Sequence, residues 1–146
     1  MSNNQSTIEI RPLSEQDYVA FRDFSDNIIR DISQYYPREV IKNYQDTFAR
    51  YLRNAFTKNT MHILGAFIEN RPAGLIVGEE RSQLLYIELM GANPKKMGIG
   101  RKLLSAFEEI AKGKNLYRVY LITSLKNIPA VPFYLKCGYS IDWIQK

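Results

Sequence analysis

Leu84-Leu85-Tyr86-Ile87-Glu88-Leu89-Met90-Gly91-Ala92-Asn93-Pro94-Lys95-Lys96-Met97-Gly98-Ile99-Gly100-Arg101-Lys102-Leu103-Leu104 reads as one unit, an apolar strand that turns through glycines straight into an amphipathic helix. Gly98 and Gly100 lack Cβ atoms, so the backbone there can come close to a ligand, and the helix that follows begins with N–H groups that have no intrahelical acceptor. The helix dipole adds partial positive charge at that end, and Lys95, Lys96, Arg101 and Lys102 surround it with full charges. Such a turn is built to hold phosphate. Two well-known phosphate loops do not fit it. A dinucleotide fingerprint needs a third glycine where Leu103 stands, and a Walker loop starting at Gly91 needs one at Lys96.

Working outward, Ile99, Leu103, Leu104, Phe107, Ile110 and Ala111 share one helix face, and the helix ends at Gly113. Upstream, Met61 to Ile68 and Ala73 to Val77 are apolar strands joined by the polar link Glu69 to Pro72, and Glu79 to Gln83 forms the next turn. Thr7 to Arg11 alternates as a first strand. Ser14 with Asp17 marks a helix start, followed by Tyr18, Phe21, Ile28 and Ile29 at helical spacing. A second helix is expected over roughly Val40 to Phe56, after a loop in which Pro37 restricts Tyr36 to extended geometry. Downstream, Leu116 to Thr123 reads as a strand, Ala130 to Cys137 as a short helix stopped by Gly138, and Tyr139 to Ile144 as a last strand. Pro132 argues that this last helix begins near Ala130 rather than Asn127.

At 146 residues, 45% hydrophobic and 24% charged, the chain is expected to form a single domain over 1–146 with a core that needs no staples. Its apolar runs are only strand-sized, and Met1 to Ser6 lacks the regions of a signal peptide, so neither export nor a membrane span is expected. One cysteine, Cys137, and one histidine, His62, suggest neither an internal disulfide nor a metal cluster, and a reducing cytoplasm is the expected setting. Residues 1 to 90 carry ten basic and twelve acidic side chains, residues 91 to 146 ten and three. Excess positive charge confined to the segment with the phosphate turn suits a polyanionic small molecule better than nucleic acid, although plain solubility would also account for it.

A second motif lies beyond the helix and strand that follow the turn: Asn127, Ala130, Phe133, Tyr134, Gly138 and Tyr139. With Lys95, Gly98 and Gly100 it resembles motifs A and B of the GNAT (Gcn5-related) N-acetyltransferases. Lys95 stands where the family usually has Gln or Arg, and Pro94 sits one residue nearer the glycines than usual. The resemblance runs from Ile8 to Tyr139. It implies an α/β fold with a mixed sheet: an antiparallel N-terminal part, a parallel pair splayed around a cofactor slot, about four flanking helices, and a final strand reduced or missing. Only eight residues follow Gly138. The acceptor side is therefore expected to be open or covered by a second subunit, as in a homodimer.

The resemblance further implies acetyl transfer from acetyl-CoA to an amine acceptor by direct attack, with no metal and no acyl-enzyme. Lys95, Lys96, Met97, Gly98, Ile99, Gly100, Arg101 and Lys102 would hold the pyrophosphate, and the backbone of Met90, Gly91 and Ala92 would pair with the pantetheine arm. Gly91 is either the site of a bulge or an ordinary strand-ending glycine. Glu88 would take the amine proton or is a salt-bridged strand glutamate whose neighbours Ile87 and Leu89 face away from it. Tyr134 would protonate the leaving thiolate or is a core aromatic. Asn127 caps the last helix, contacts the cofactor, or does both, and Lys136 reaches a phosphate or is solvated. Tyr35 and Tyr36 are candidates for the acceptor pocket, and His62 and Cys137 are read as structural. A peptide or protein amine is favoured over a small one, and the rival reading is a catalytically silent acyl-CoA-binding module.

Overall fold

The structure, a computed structural model, describes residues 7–39, 41–42, 50, 53–54, 58–95, 97–123, 126–127 and 129–142. Five strands form one sheet in sequence order: β1 (Ile8–Pro12), β2 (Met61–Ile68), β3 (Arg71–Arg81), β4 (Leu84–Ala92) and β5 (Arg118–Tyr120). The first four are antiparallel and β5 runs parallel to β4. Helix α1 (Tyr18–Ile32) precedes β2, α2 (Ile99–Gly113) links β4 to β5, and α3 (Ala130–Lys136) follows. About four helices were expected. The one not described as an element is the Val40–Phe56 stretch, most of which lies outside the described residues; Arg38, Glu39, Ile41, Lys42, Arg50, Arg53 and Asn54 are helical.

Each helix brings one apolar stripe to one face of the sheet. α1 buries Phe21, Ser25, Ile28 and Ile29 against Ile63, Phe67, Leu75, Val77 and Leu89. The Ser25 hydroxyl, fully buried, donates to the Arg22 carbonyl at 2.8 Å and so satisfies itself within the helix. α2 buries Ile99, Leu103, Leu104, Phe107 and Ala111 against Leu64, Ala66, Ile76, Leu85 and Ile87. The entry into α1 is fixed by Asp17, whose carboxylate accepts from the Ser14 N–H at 2.9 Å and from the Arg11 guanidinium at 3.0 Å. Those partners hold the Asp17 pKa below the usual carboxylate value, the Arg11 hydrogen bond most of all.

Several strand limits differ from the sequence reading, those of β3 and β5 most. β3 runs on to Arg81, and both hairpins close through two-residue turns, Glu69-Asn70 and Ser82-Gln83, with φ of 52°, 64°, 49° and 67°. Left-handed pairs match the twist of antiparallel strands, so the turn is shorter than its polar composition suggests. β5 holds only Arg118–Tyr120 of the expected Leu116 to Thr123, because its partner residues are only Leu84, Leu85 and Tyr86. Residues 139–142 of the expected last strand have no strand pairing. Asp142 instead meets Arg118 at 2.8 Å, and residues 143–146 lie outside the described set.

Candidate active site

The glycine turn places an anion cradle beside an open strand edge. Gly98 is the N-cap of α2, with φ 76° and ψ 10°, and its carbonyl accepts the Lys102 N–H at 3.1 Å. Among the described residues, its two chain neighbours apart, nothing lies within 4 Å of where a Gly98 Cβ would be. The space is open toward solvent, so this glycine is required by its left-handed backbone. Ile99 is 1% exposed and anchors the helix start in the core, which leaves the first-turn amides of Ile99, Gly100 and Arg101 without intrahelical acceptors. Lys95, Met97, Arg101 and Lys102 are exposed around them; Lys96 lies outside the described residues.

Gly100 needs its missing side chain for another reason. A Cβ there would lie 2.9 Å from Cζ of Phe133, so the space next to this glycine is filled by an α3 ring. Phe133 thus excludes a side chain at Gly100, while the Gly100 N–H remains among the first-turn amides without an intrahelical acceptor.

β4 supplies the edge. β5 pairs with it only at Leu84–Tyr86, and among the described residues Ile87 to Ala92 pair on the β3 side alone. Register is regular across Gly91, which sits opposite Leu75, so the expected bulge at Gly91 is absent. The Gly91 side faces α1, where a Cβ would lie 2.5 Å from Ile28. Met90 and Ala92 pack on the opposite core.

The bulge falls instead on Glu88. Val77 pairs with Leu89 and Gly78 with Ile87, leaving Glu88 as the extra residue. That irregularity overturns the expected alternation: Ile87 packs with α2 and Leu89 with α1, so the two do not share a face turned away from Glu88. The Glu88 carboxylate, 18% exposed, lies 3.3 Å from the Arg81 guanidinium. Arg81 also meets Glu79 at 3.6 Å and sits 4.4 Å over the Tyr86 ring, which is 4.8 Å from Tyr120. Arg81 was not singled out from sequence. Its signal would have been the polar run Glu79-Glu80-Arg81 had the strand been carried to its true end.

α3 begins at Ala130 with Pro129 as N-cap, and Asn127 contributes its carbonyl, which accepts the Ala130 N–H at 3.1 Å. The expected Asn127 cap is thus displaced by two residues. Pro132 is tolerated because the N–H of a first-turn residue has no intrahelical partner to lose. The helix ends through Gly138 at φ 93°, whose N–H reaches Leu135 while the Tyr139 N–H reaches Tyr134, at 3.1 and 3.0 Å. Lys136 in its last turn is exposed.

Tyr134 points inward from this helix, with Phe133 at 5.2 Å and Tyr139 at 5.9 Å. Burial first, then Tyr36 and Cys137, push its pKa well above the ordinary phenol value. At neutral pH the hydroxyl therefore keeps its proton. The influence of Tyr36 shows that the Tyr35-Tyr36-Pro37 loop reaches the same place; Tyr36 is extended, at φ −132° and ψ 150°, and both tyrosines are half-buried. His62 belongs to the far end of the sheet, where its Nε2 and the Lys114 ammonium each lie 2.8 Å from Glu80. A cavity of about 170 Å³ opens there too, between Pro12, Met61, His62 and Ile110. A strand edge beside a turn makes an open groove, which a cavity elsewhere in the fold does not mark.

The acetyltransferase (GNAT) family model matches residues 26–139. The chain belongs to that family. The solved GNAT chains it resembles include a PaiA N-acetyltransferase of Thermoplasma acidophilum in complex with coenzyme A. That chain is 21% identical, with a TM-score of 0.81 over 95% of this chain and 93% of that one. An aminoglycoside acetyltransferase from an uncultured soil metagenomic sample, in complex with sisomicin, is 17% identical with a TM-score of 0.69 over 95% and 93%. At such identities these likenesses establish a GNAT fold. Among curated proteins, the uncharacterized protein YxbD of Bacillus subtilis (strain 168) is 34% identical over 77 residues, 51% of this chain and 46% of that protein. The match thus spans less than half of that relative.

Proposed function

We propose that this GNAT protein is an N-acetyltransferase that binds acetyl-CoA and passes its acetyl group to a primary amine by direct attack in a ternary complex. The observation that carries the reading is the juxtaposition of two features: the open Gly98 cradle at the start of α2 and the stretch of β4 from Met90 to Ala92 that, among the described residues, has a strand neighbour on the β3 side alone. They fit the diphosphate and the pantetheine arm of coenzyme A. Amides of the first α2 turn hold the diphosphate, with Lys95, Arg101 and Lys102 around them, Met97 and Ile99 shaping the turn, and Lys96, next to Lys95 in sequence, adding a further positive charge. Backbone groups of Met90, Gly91 and Ala92 take the amide-rich arm as an added strand. Lys136, exposed in the last turn of α3, is a further cation for the phosphates, and Asn127 borders the opposite, N-terminal end of that helix.

When bound, the thioester supplies an activated acetyl group. Glu88 accepts a proton from the incoming ammonium, which an alkylamine with a pKa near ~10.4 must lose before it can attack. Tyr134, kept protonated by burial, gives its proton to the departing thiolate. Tyr35 and Tyr36 form part of the acceptor wall. A peptide or protein amine is placed ahead of a small amine because residues 139–142 form no strand that closes that side, unless a second copy of the chain covers it. A reducing cytoplasm fits these assignments.

A second reading is favoured by the Arg81–Glu88 pair at 3.3 Å, since a carboxylate engaged by guanidinium is a weaker base. On that reading the protein is a silent acyl-CoA-binding module. Thiol release from acetyl-CoA, measured with peptides, polyamines and aminoglycosides in turn, separates the two. Release with one class supports the enzyme and names its acceptor. Calorimetric binding of acetyl-CoA with no release across the panel supports the module, and no binding at all removes both.

A further inference from the structure

Two segments far apart in sequence meet at Gly100. The Phe133 ring occupies the place of its side chain, with would-be contacts of 2.9 Å to Cζ and 3.2 Å to Cε1. Gly100 lies in the first turn of α2 with no left-handed φ, so room for the ring is what demands glycine here. From that seat an aromatic ladder runs back along α3. Phe133 stands edge-on to Tyr134 at 5.2 Å and 77°, and Tyr134 meets Tyr139 at 5.9 Å and 61°. The Tyr139 hydroxyl donates to Glu108 at 3.4 Å. Both ends of the ladder thus return to α2, one at the anion cradle and one further along the helix. Edge-to-face rings held at both ends have little freedom to slide.

We propose that Phe133 is a positioning residue for acetyl transfer: seated on Gly100, it sets where the Tyr134 hydroxyl stands relative to a ligand gripped by the same α2 turn. The inference deepens the proposed function and rests on its assignment of Tyr134 as proton donor. One glycine then does two jobs, because the turn that binds the diphosphate also registers the acid against it. Ala at this position would push the ring, and Tyr134 with it, away from the cradle.

The test uses the full chain and measures turnover at saturating acetyl-CoA together with calorimetric Kd for coenzyme A. Phe133→Leu and Phe133→Met are each expected to lower kcat about tenfold or more, the scale of small misplacements of a catalytic group, with Kd within about threefold. Gly100→Ala is expected to lower kcat similarly. Gly100→Ala combined with Phe133→Leu should be no worse than the poorer single variant, since the two changes break one contact. A residue that only stabilises the fold would lower the melting temperature and leave kcat alone. Wild-type kcat in both Phe133 variants, or losses that multiply in the double variant, would overturn the proposal. Tyr134→Phe is run alongside. If it keeps wild-type turnover, the acid assignment fails and the positioning role with it; if it is impaired while the Phe133 variants are not, only the positioning role fails.

Discussion

Replacing Gly98 by alanine separates backbone geometry from ligand clearance in the phosphate turn. The residue sits at φ 76° and ψ 10°, and among the described residues, its chain neighbours apart, no atom lies within 4 Å of the position a Cβ would take. Steric clash therefore contributes nothing, and the whole cost is that of holding an L-residue left-handed, roughly 1–2 kcal/mol. With an unfolding entropy of about 2.1 cal/mol/K per residue, a chain of this length loses about 0.3 kcal/mol of stability per degree near its midpoint. The expected drop in melting temperature is then about 3–6 °C, measured by calorimetry without ligand. Asparagine tolerates this conformation better than alanine, so Gly98→Asn should cost clearly less. An unchanged melting temperature in Gly98→Ala, with affinity for coenzyme A lost, would mean that the glycine serves only to clear space for the ligand. A greater loss in Gly98→Asn than in Gly98→Ala would refute the backbone account directly.

Four further outcomes are expected. Tyr134→Phe should lower turnover at saturating acetyl-CoA by about 10²-fold or more, and unchanged turnover removes its role as acid. Glu88→Gln should reduce kcat/KM for the amine by a similar factor of about 10²-fold, whereas equal activity at all pH values would leave Glu88 as Arg81's partner only. Glu80 is pushed up by burial but more than offset by hydrogen bonds from Lys114 and His62, so its folded pKa lies below the unfolded one. Its stabilisation is therefore present above the ordinary carboxylate pKa and disappears as pH falls through the lowered value; Glu80→Gln should melt earlier than wild type at pH ~7, with the gap closing below pH ~4. Gly91→Ala places a Cβ 2.5 Å from Cγ1 of Ile28 and should cost about 1–3 kcal/mol in denaturant unfolding, less than additively with Ile28→Ala, which removes that atom; full stability in the single variant would contradict the packing seen there.

Local pattern determined most of the architecture. Apolar stretches from Met61 onward could only be strands and the stripe from Ile99 to Ala111 only a helix, because periods of two and 3.6 residues are written in neighbouring side chains. The turn at Gly98 was equally legible, since glycines, cations and a following helix are all adjacent in sequence, as was the extended Tyr36 before Pro37. What the sequence left open depends on residues that are distant along the chain. Glu88 became the bulged residue through register with Val77 and Gly78, which no local rule specifies. Its ion pair with Arg81 needs the β3–β4 hairpin to close at Ser82-Gln83. Gly100 looked like a glycine kept for ligand approach alone until α3 folded back and laid Phe133 where its side chain would be. Composition can announce that a position must be small. Only packing in three dimensions decides whether a ligand or the protein's own ring fills the space.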